Sequence, residues 1–417
     1  MKTRIAIVVS HPIQHFAPLY RQLALQPDIE LKVFFCSRLG LDAYVDPGFG
    51  VEFRWETNLL EGYESEFLDS ASRLKSLNFW DAYSADLPAR LDHFKPDVVQ
   101  VYGYAHRIAL QALLWCGLHR VPALLMSDSE LVHSRPLPVR VAKRLVLPAI
   151  YRAVTGFLTI GDNNELYLRH YGVDRQQMFR SPYPTDDALF LATRSKLAEV
   201  RRARRKALGI DESAFVSVFV GKLIDRKRPA DLIAATRLSA KRTGLPMIAL
   251  FVGDGALRDS LEAQVAAEAA GESVRFAGFI NQTDLPSMYA AADVVAHPAD
   301  NDPHPIAVTE GVLMGLPVVV SDRIGSVGPT DTVRPQQNGY VFPTGDVSAF
   351  AAALGELATD PLLRQRMGEA SRRIAAEMGM DASVQGYLRA VRAAVEQRPR
   401  AKRGLREPQQ DVSESAV

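Results

Sequence analysis

The stretch ADNDPHPIAVTEGVLMGLPVVVSD, Ala299–Asp322, reads in order as loop, helix, turn and buried strand. Pro305 has the fixed φ that suits a first helical turn, and Ile306 to Met314 carry the helix. PVVVSD is an apolar β-branched run too short to be a helix. The run DVVAHPA before the stretch is another such strand. Strand, crossover helix and strand form the repeating unit of a parallel sheet, so the stretch places the chain in the α/β class.

Outward from it the same alternation continues. The second half supplies FVSVFVGK, MIALFVGDG, VRFAGF, VVAHPA, PVVVSD and GYVFPTG; the first supplies RIAIVVS, ELKVFFCS, VVQVYG, ALLMSD and GFLTIG. Between them RPADLIAATRLSAKR and ALRDSLEAQVAAEAA repeat apolar residues at three and four. At 417 residues the chain exceeds the roughly 250 to 300 at which one core stops growing. The reading is two doubly wound, Rossmann-like domains in series with a cleft between them. SPYPTDDALF is rich in turn residues and precedes the basic helix RSKLAEVRRARRKALGI, which puts the seam near residue 190. Residues 1–190 form the first domain, 191–378 the second, and 379–396 a last helix free to pack back on the first. Residues 397–417 carry too few apolar side chains to offset their ordering entropy and read as a disordered tail.

Composition excludes little beyond this. Hydrophobic content of 47%, charged content of 23% and a net charge of +1 describe an ordinary globular chain and point to no nucleic-acid partner. Cys36 and Cys116 lie in apolar runs and read as buried thiols of a reducing compartment. The apolar run at the start ends at Val9, too early for a secretory segment, and no window is apolar enough to cross a membrane. The expected location is the cytoplasm, with at most a peripheral membrane contact.

In α/β domains ligands meet the carboxyl ends of strands, where loops enter helices. At one such end Gly221, Lys222 and Lys227 offer close backbone approach and two point charges for phosphate oxygens, although lysines at a loop end are also simply solvated. Gly253-Asp254-Gly255 makes a tight strand-to-helix turn fit to border a nucleotide. Phe279 and Ile280 lie on a loop that offers backbone groups to a base edge, ahead of a helix capped by Thr283 or Asp284. The helix starting near Pro305 presents unpaired N–H groups to a diphosphate around His304, Pro305, Ile306 and Ala307, while Glu310 accepts from ribose hydroxyls and Asp302 faces the sugar. Asp300-Asn301-Asp302 also spells an Asp-x-Asp metal motif, but fixed cations opposite the helix make a metal-free site the expected one.

These residues resemble the retaining family-4 glycosyltransferases of GT-B fold. The acid, seven residues, acid pattern of that family corresponds to DPHPIAVTE, and its G-R-L-x-x-x-K loop to Gly221, Lys222 and Lys227. GDGALR, LPVVVSD and NGYVFPTGD are similar to family segments as well, so the resemblance spans the second domain. This chain departs from the pattern with Asp302 for Glu, Lys222 for Arg, and His304-Pro305 for Phe-Gly. The resemblance implies a nucleotide diphosphate sugar as donor substrate, no cofactor, transfer with retention to a sugar or lipid-linked acceptor, and a role in polysaccharide or glycolipid assembly. A sugar-nucleotide epimerase of the same fold, or a non-catalytic nucleotide-sugar-binding relative, shares the architecture.

The first domain is expected to hold the acceptor. His11 and His15 follow its first strand, flanking Pro12-Ile13 where many relatives have a glycine pair. They suit binding or proton shuttling near the acceptor, and loop packing accounts for them as well. Asp128 stands where many relatives carry a histidine beside the reacting centre; with His15 and Asp302 it is a catalytic candidate, its alternative being a helix cap. Glu130, Tyr102, Tyr104 and His106 are acceptor-side candidates, the tyrosines as stacking platforms or as loop packing. From Leu131 to Gly161 there is no acid, but Arg135, Arg140, Lys143, Arg144 and Arg152 stand among Val, Leu and Ile. That pattern fits an amphipathic segment on anionic lipid, or a surface helix with solvated charges.

Overall fold

The structure is a computed structural model that describes residues 2–41, 44–45, 52–53, 58–72, 78–133, 135–268 and 270–397. The tail expected from residue 397 lies outside them except for Gln397.

Two parallel sheets organise the chain. The first is built from β1 (Thr3–Val9), β2 (Ile29–Phe35), β5 (Glu64–Phe67), β6 (Val98–Tyr102), β7 (Ala123–Met126), β8 (Gly156–Thr159) and β9 (Met178–Arg180), in the order β5-β2-β1-β6-β7-β8-β9. Between β2 and β5, β3 (Tyr44–Val45) and β4 (Glu52–Phe53) form a short antiparallel pair. The second sheet uses β10 (Phe215–Val220), β11 (Met247–Val252), β12 (Val274–Phe276), β13 (Val294–His297), β14 (Val318–Ser321) and β15 (Gly339–Phe342), in the order β12-β11-β10-β13-β14-β15. In each sheet the order reverses beside the first strand, at β1/β6 and β10/β13, and a ligand crevice opens outside the strand ends at such a switch point.

The strands within these two sheets are parallel, and helices cover both faces of the central ones, which is why those runs are continuously apolar. Alternate residues serve opposite layers: Ala6 and Val8 join one core of the first domain while Ile5, Ile7 and Val9 join the other. In the second domain Val216 and Val218 oppose Phe215 and Phe219 in the same way.

Five strands were legible in the first domain; the sheet has seven. β5 is ESEF, an edge strand whose Glu64 and Glu66 pair with Lys32 of β2 at 2.9 and 2.8 Å, so its charges hide its periodicity. β9 has only three residues. All six strands read in the second domain are present.

The chain crosses between the domains twice. Helix Asp187–Arg194 belongs to the second body through Phe190, and helix Met380–Glu396 returns to the first, where Val384, Tyr387, Ala390 and Val391 join the core on the β7, β8 and β9 side of the sheet. The crossings are tied together: Asp187 Oδ2 accepts from Met380 N at 2.7 Å, and Ser181 Oγ donates to the Ser383 carbonyl at 3.0 Å.

Candidate active site in the interdomain cleft

The ends of β10 and β11 meet through their glycines. Gly221 (φ +145°) donates its N–H to Val252 O at 2.9 Å, and a Cβ on Gly253 (φ +133°) would stand 2.1 Å from the Gly221 carbonyl oxygen. A Cβ on Gly255 would be 2.5 Å from Leu223 O. The Gly-Asp-Gly sequence thus lets two loops pass in contact. Asp254 serves this turn, with Oδ1 accepting from Gly255 N at 2.8 Å and Oδ2 pairing with Arg258 at 2.8 Å, and it is not among the residues lining the cleft.

The helix read from the opening stretch spans Ile306–Leu313, with Pro305 at the N-cap, one position before the expected first turn. Gly311 lets it lie against β13, since a Cβ there would stand 2.1 Å from Val295 Cγ2. Glu310 is thereby set over the ends of β10 and β11. These elements enclose a chamber of about 220 Å³. Gly221, Gly253, Phe279, Ile280, Ala307 and Glu310 line it from the second domain, together with Ile306, and Gln14, His15 and Thr185 complete it from the other side. Gln14 Nε2 donates to Gln282 Oε1 across the cleft. Helix Leu285–Ala291 borders the chamber; Asp284 is its N-cap residue but makes no side-chain capping bond.

Beside the chamber is a charged group. Lys227, on the 3-10 turn Asp225–Lys227, is largely buried and paired with Asp302 Oδ2, which also accepts from His297 Nε2 at 2.9 Å. Burial would raise the Asp302 carboxyl, but the His297 hydrogen bond and the Lys227 charge hold it well below the usual range. Burial pulls Lys227 down, opposed by Asp302, and Lys222 and Arg226 are close enough to press it further. Lys222 and Lys227 therefore share one cationic locus. Asp302 and His304 are both buried, and Asp302 is in electrostatic reach of Asp128 on the first domain. Among the described residues, no three His, Cys, Asp or Glu side chains gather as ion ligands.

Glu310 is buried, and its Oε2 lies 2.7 Å from the Tyr289 hydroxyl. Burial pushes its carboxyl up to about 7. On the facing wall, burial drives His15 down to about 3, with His304 and His11 adding to the effect, and His11 and His304 down to about 4. The three imidazoles are neutral near pH 7. His15 Nε2 has no partner in the protein although it is enclosed, so it is available to a guest in the chamber. Asp128 is reached by water, yet the walls of the cleft surround it; this partial desolvation, with Asp302 and Glu130 nearby, raises its carboxyl. It caps no helix, because the next one begins at Leu137 behind Pro136.

The acceptor-side candidates divide. His11 bonds Ser10 Oγ at 2.9 Å and lies in electrostatic reach of His106. Glu130 is committed to His133, whose Nδ1 and N–H lie 2.7 and 3.1 Å away, and His133 Nε2 reaches the Asp300 carbonyl of the second domain at 3.1 Å. Tyr102 packs on Phe16 and bonds Tyr183; Tyr104 bonds Tyr167 at 2.6 Å, so both rings sit in packing contacts. Sequence reasoning missed Gln14, Thr185, Gln282, Tyr289 and His297. Only Gln282 had a local signal, its place on the loop after Phe279.

Residues 200–374 match the family model described as glycosyl transferases group 1. The D-inositol 3-phosphate glycosyltransferase of Corynebacterium urealyticum is 36% identical over 172 residues, 40% of each chain. That of Salinispora arenicola is 30% identical over 218 residues, 50% of this chain and 48% of the relative. The chain spans about half the length of the curated relatives it matches. Among solved structures, Anabaena HepE in complex with UDP superposes with a TM-score of 0.70 at 18% identity, over 94% of this chain and 100% of that one. A glycosyltransferase from Rickettsia africae gives 0.71 at 12% identity, over 95% and 100%. WaaG, a glycosyltransferase involved in lipopolysaccharide biosynthesis, gives 0.63 at 17%, over 93% and 98%. The fold is GT-B.

Proposed function

We propose that the chain is a glycosyltransferase of the retaining family-4 type, moving a sugar from a nucleoside diphosphate donor to an acceptor hydroxyl without a metal ion. The observation that carries this reading is the joining, in one cleft, of a largely apolar chamber ending on Glu310 with the Lys222–Lys227 locus beside the start of helix Ile306–Leu313. The match of residues 200–374 to glycosyl transferases group 1 supports it. The nucleoside occupies the chamber with its ribose on Glu310, and the diphosphate lies between the lysines and the helix N-terminus, where fixed charge stabilises it as it leaves.

Asp302 is held by Lys227 and His297, so it positions the lysine beside the sugar and is a poor nucleophile. Retention then follows from a front-face route. The bond from the anomeric carbon to the phosphate oxygen breaks, the acceptor oxygen bonds on the same face, and its proton passes to the departing phosphate. Asp128 orients the acceptor hydroxyl, while His15, whose Nε2 is enclosed by the chamber, meets the donor. A glycoconjugate intermediate is the acceptor class this arrangement suits.

The test is a thermal-shift panel of nucleotides and nucleotide sugars, with and without chelator, followed by product analysis on candidate acceptors. Uridine nucleotides come first. Stabilisation that is unaffected by chelator and lost in Glu310→Ala is expected. Stabilisation that survives Glu310→Ala removes the ribose assignment, and an altered free sugar in place of transfer makes the protein an epimerase.

A further inference from the structure

Helix Leu137–Arg152 is built the wrong way round for a surface helix. Only Leu147 and Tyr151 are buried, and Leu137, Val141, Leu145 and Val146 are 68%, 51%, 74% and 52% exposed. At roughly 100° per residue these side chains, with Ala142 and Ala149, cover about half the helix circumference on the side away from the two buried residues. An ordinary amphipathic helix turns that face inward. The apolar surface continues across a shallow groove, over Ala149 and Ile150, to Leu114 and Leu118, which are 66% and 74% exposed.

The segment that carries it is charged almost entirely with one sign, and the carboxylates beside it from other elements are Asp92, bonded to Trp115 and His119, and Asp174, next to Val173 of the groove. Between Asp97 and Asp162 the only acids are Asp128 and Glu130, against Arg107, Arg120, Arg135, Arg140, Lys143, Arg144 and Arg152. Lys143 turns inward, over the rings of Tyr104 and Tyr167 at 5.9 and 5.3 Å, and fixes the helix to the domain. Arg140, Arg144 and Arg152 are exposed. Arg144, Arg152, His170 and Gln177 line a groove of about 600 Å³ between this helix and helix Asp162–His170.

We propose that the outward face of helix Leu137–Arg152, with Leu114 and Leu118, docks on an anionic lipid bilayer and seats a lipid phosphate in the Arg144–Arg152 groove. Exposed apolar side chains flanked by arginines, on a helix with no acid, match a surface that is apolar below and anionic above. A second copy fits poorly, because a two-fold contact would set these arginines against each other with no carboxylate between them. The helix follows directly on the loop that carries Asp128 and ends with His133 against Asp300, so docking brings the mouth of the cleft to the bilayer. The surface stands independently of the transfer reading; only the further consequence, a lipid-borne acceptor, rests on that reading.

Co-sedimentation of the full chain with phosphatidylcholine vesicles, with or without about one third phosphatidylglycerol, tests this without any donor. Binding to the anionic vesicles alone, weakened by added salt, is expected. The pairs Val141→Glu with Leu145→Glu, and Arg140→Glu with Arg144→Glu, should each bind at least about tenfold more weakly, with thermal melting unchanged because all four side chains are exposed. Three results overturn the proposal: no binding to anionic vesicles, equal binding to both vesicle types, or variants that bind like the parent. A dimer in light scattering that Val141→Glu with Leu145→Glu dissolves assigns the face to a second copy and also overturns it. UDP-induced stabilisation, read separately, reports on the donor site alone.

Discussion

Tyr289 brings one hydroxyl proton to two acceptors, the Ala307 carbonyl at 2.9 Å and Glu310 Oε2 at 2.7 Å. A protonated Glu310 resolves the conflict, since it donates to the tyrosine oxygen, which then donates to the carbonyl. This agrees in direction with burial raising the carboxyl from 4.5 to about 7. The folded, empty protein holds that proton more tightly than the unfolded chain, so Glu310's contribution to stability falls as pH rises from about 4.5 through about 7. On the proposed reading, ribose hydroxyls supply donors to an ionised Glu310. Affinity for UDP-glucose, whose own phosphates do not titrate in this range, should therefore rise with pH up to about 7 and then level, and Glu310→Gln should flatten the profile. An unchanged slope in Glu310→Gln, read by calorimetry, would place the titration elsewhere. At this scale the place of Gly221, Gly253 and Glu310 on the cleft was legible, because strand ends and helix starts border such crevices. Tyr289 and His297 were not, since nothing in their local sequence says that they meet Glu310 and Asp302.

At the scale of elements, two glycine-bearing turns fix the floor of the chamber. Gly253→Ala puts a methyl 2.1 Å from a backbone carbonyl at a φ of +133°, so the loop at Gly221 must move. The cost should exceed the ~1 kcal/mol usual for a poorly placed Gly→Ala change. Nucleotide-induced stabilisation should fall with it, whereas Gly271→Ala, which meets no atom within 4 Å, should change neither in the same denaturation series. Equal behaviour of the two variants would contradict the close passage. The sequence showed strands that are buried on both faces and concealed those at the edge. β5 carries two glutamates because one flank faces solvent, and β9, only three residues long, is packed under helix Met380–Glu396, a relation set by residues some two hundred positions apart.

Across the whole molecule, one helix of the first domain is finished by the second. Asp331 Oδ2 accepts from the N–H of Asp162, the first residue of helix Asp162–His170, at 2.7 Å, while Asp162 accepts from Thr330 N at 2.8 Å and pairs with Arg180. Asn163 Nδ2 adds bonds to the Gly325 and Val327 carbonyls at 3.0 and 2.9 Å. Gly161 leaves room for this, as a Cβ there would be 2.1 Å from Asp331 Oδ2. Asp331→Ala removes the acceptor of the part-buried Asp162 N–H and of the buried Thr332 N–H and should cost ~1–3 kcal/mol. It should also enlarge the radius of gyration in X-ray scattering; an unchanged radius would mean that the other contacts suffice to clasp the domains. No motif announced this clasp, because each half is an unremarkable polar loop until the domains meet. The returning helix has a consequence for biosynthesis. Tyr387, Ala390 and Val391 complete the hydrophobic layer over β7, β8 and β9, so the first domain cannot close its interior until the whole second domain has been translated after it. During that interval the ribosome-bound chain presents a sticky, unfinished sheet, an opening for chaperones and a point at which premature termination yields an insoluble product.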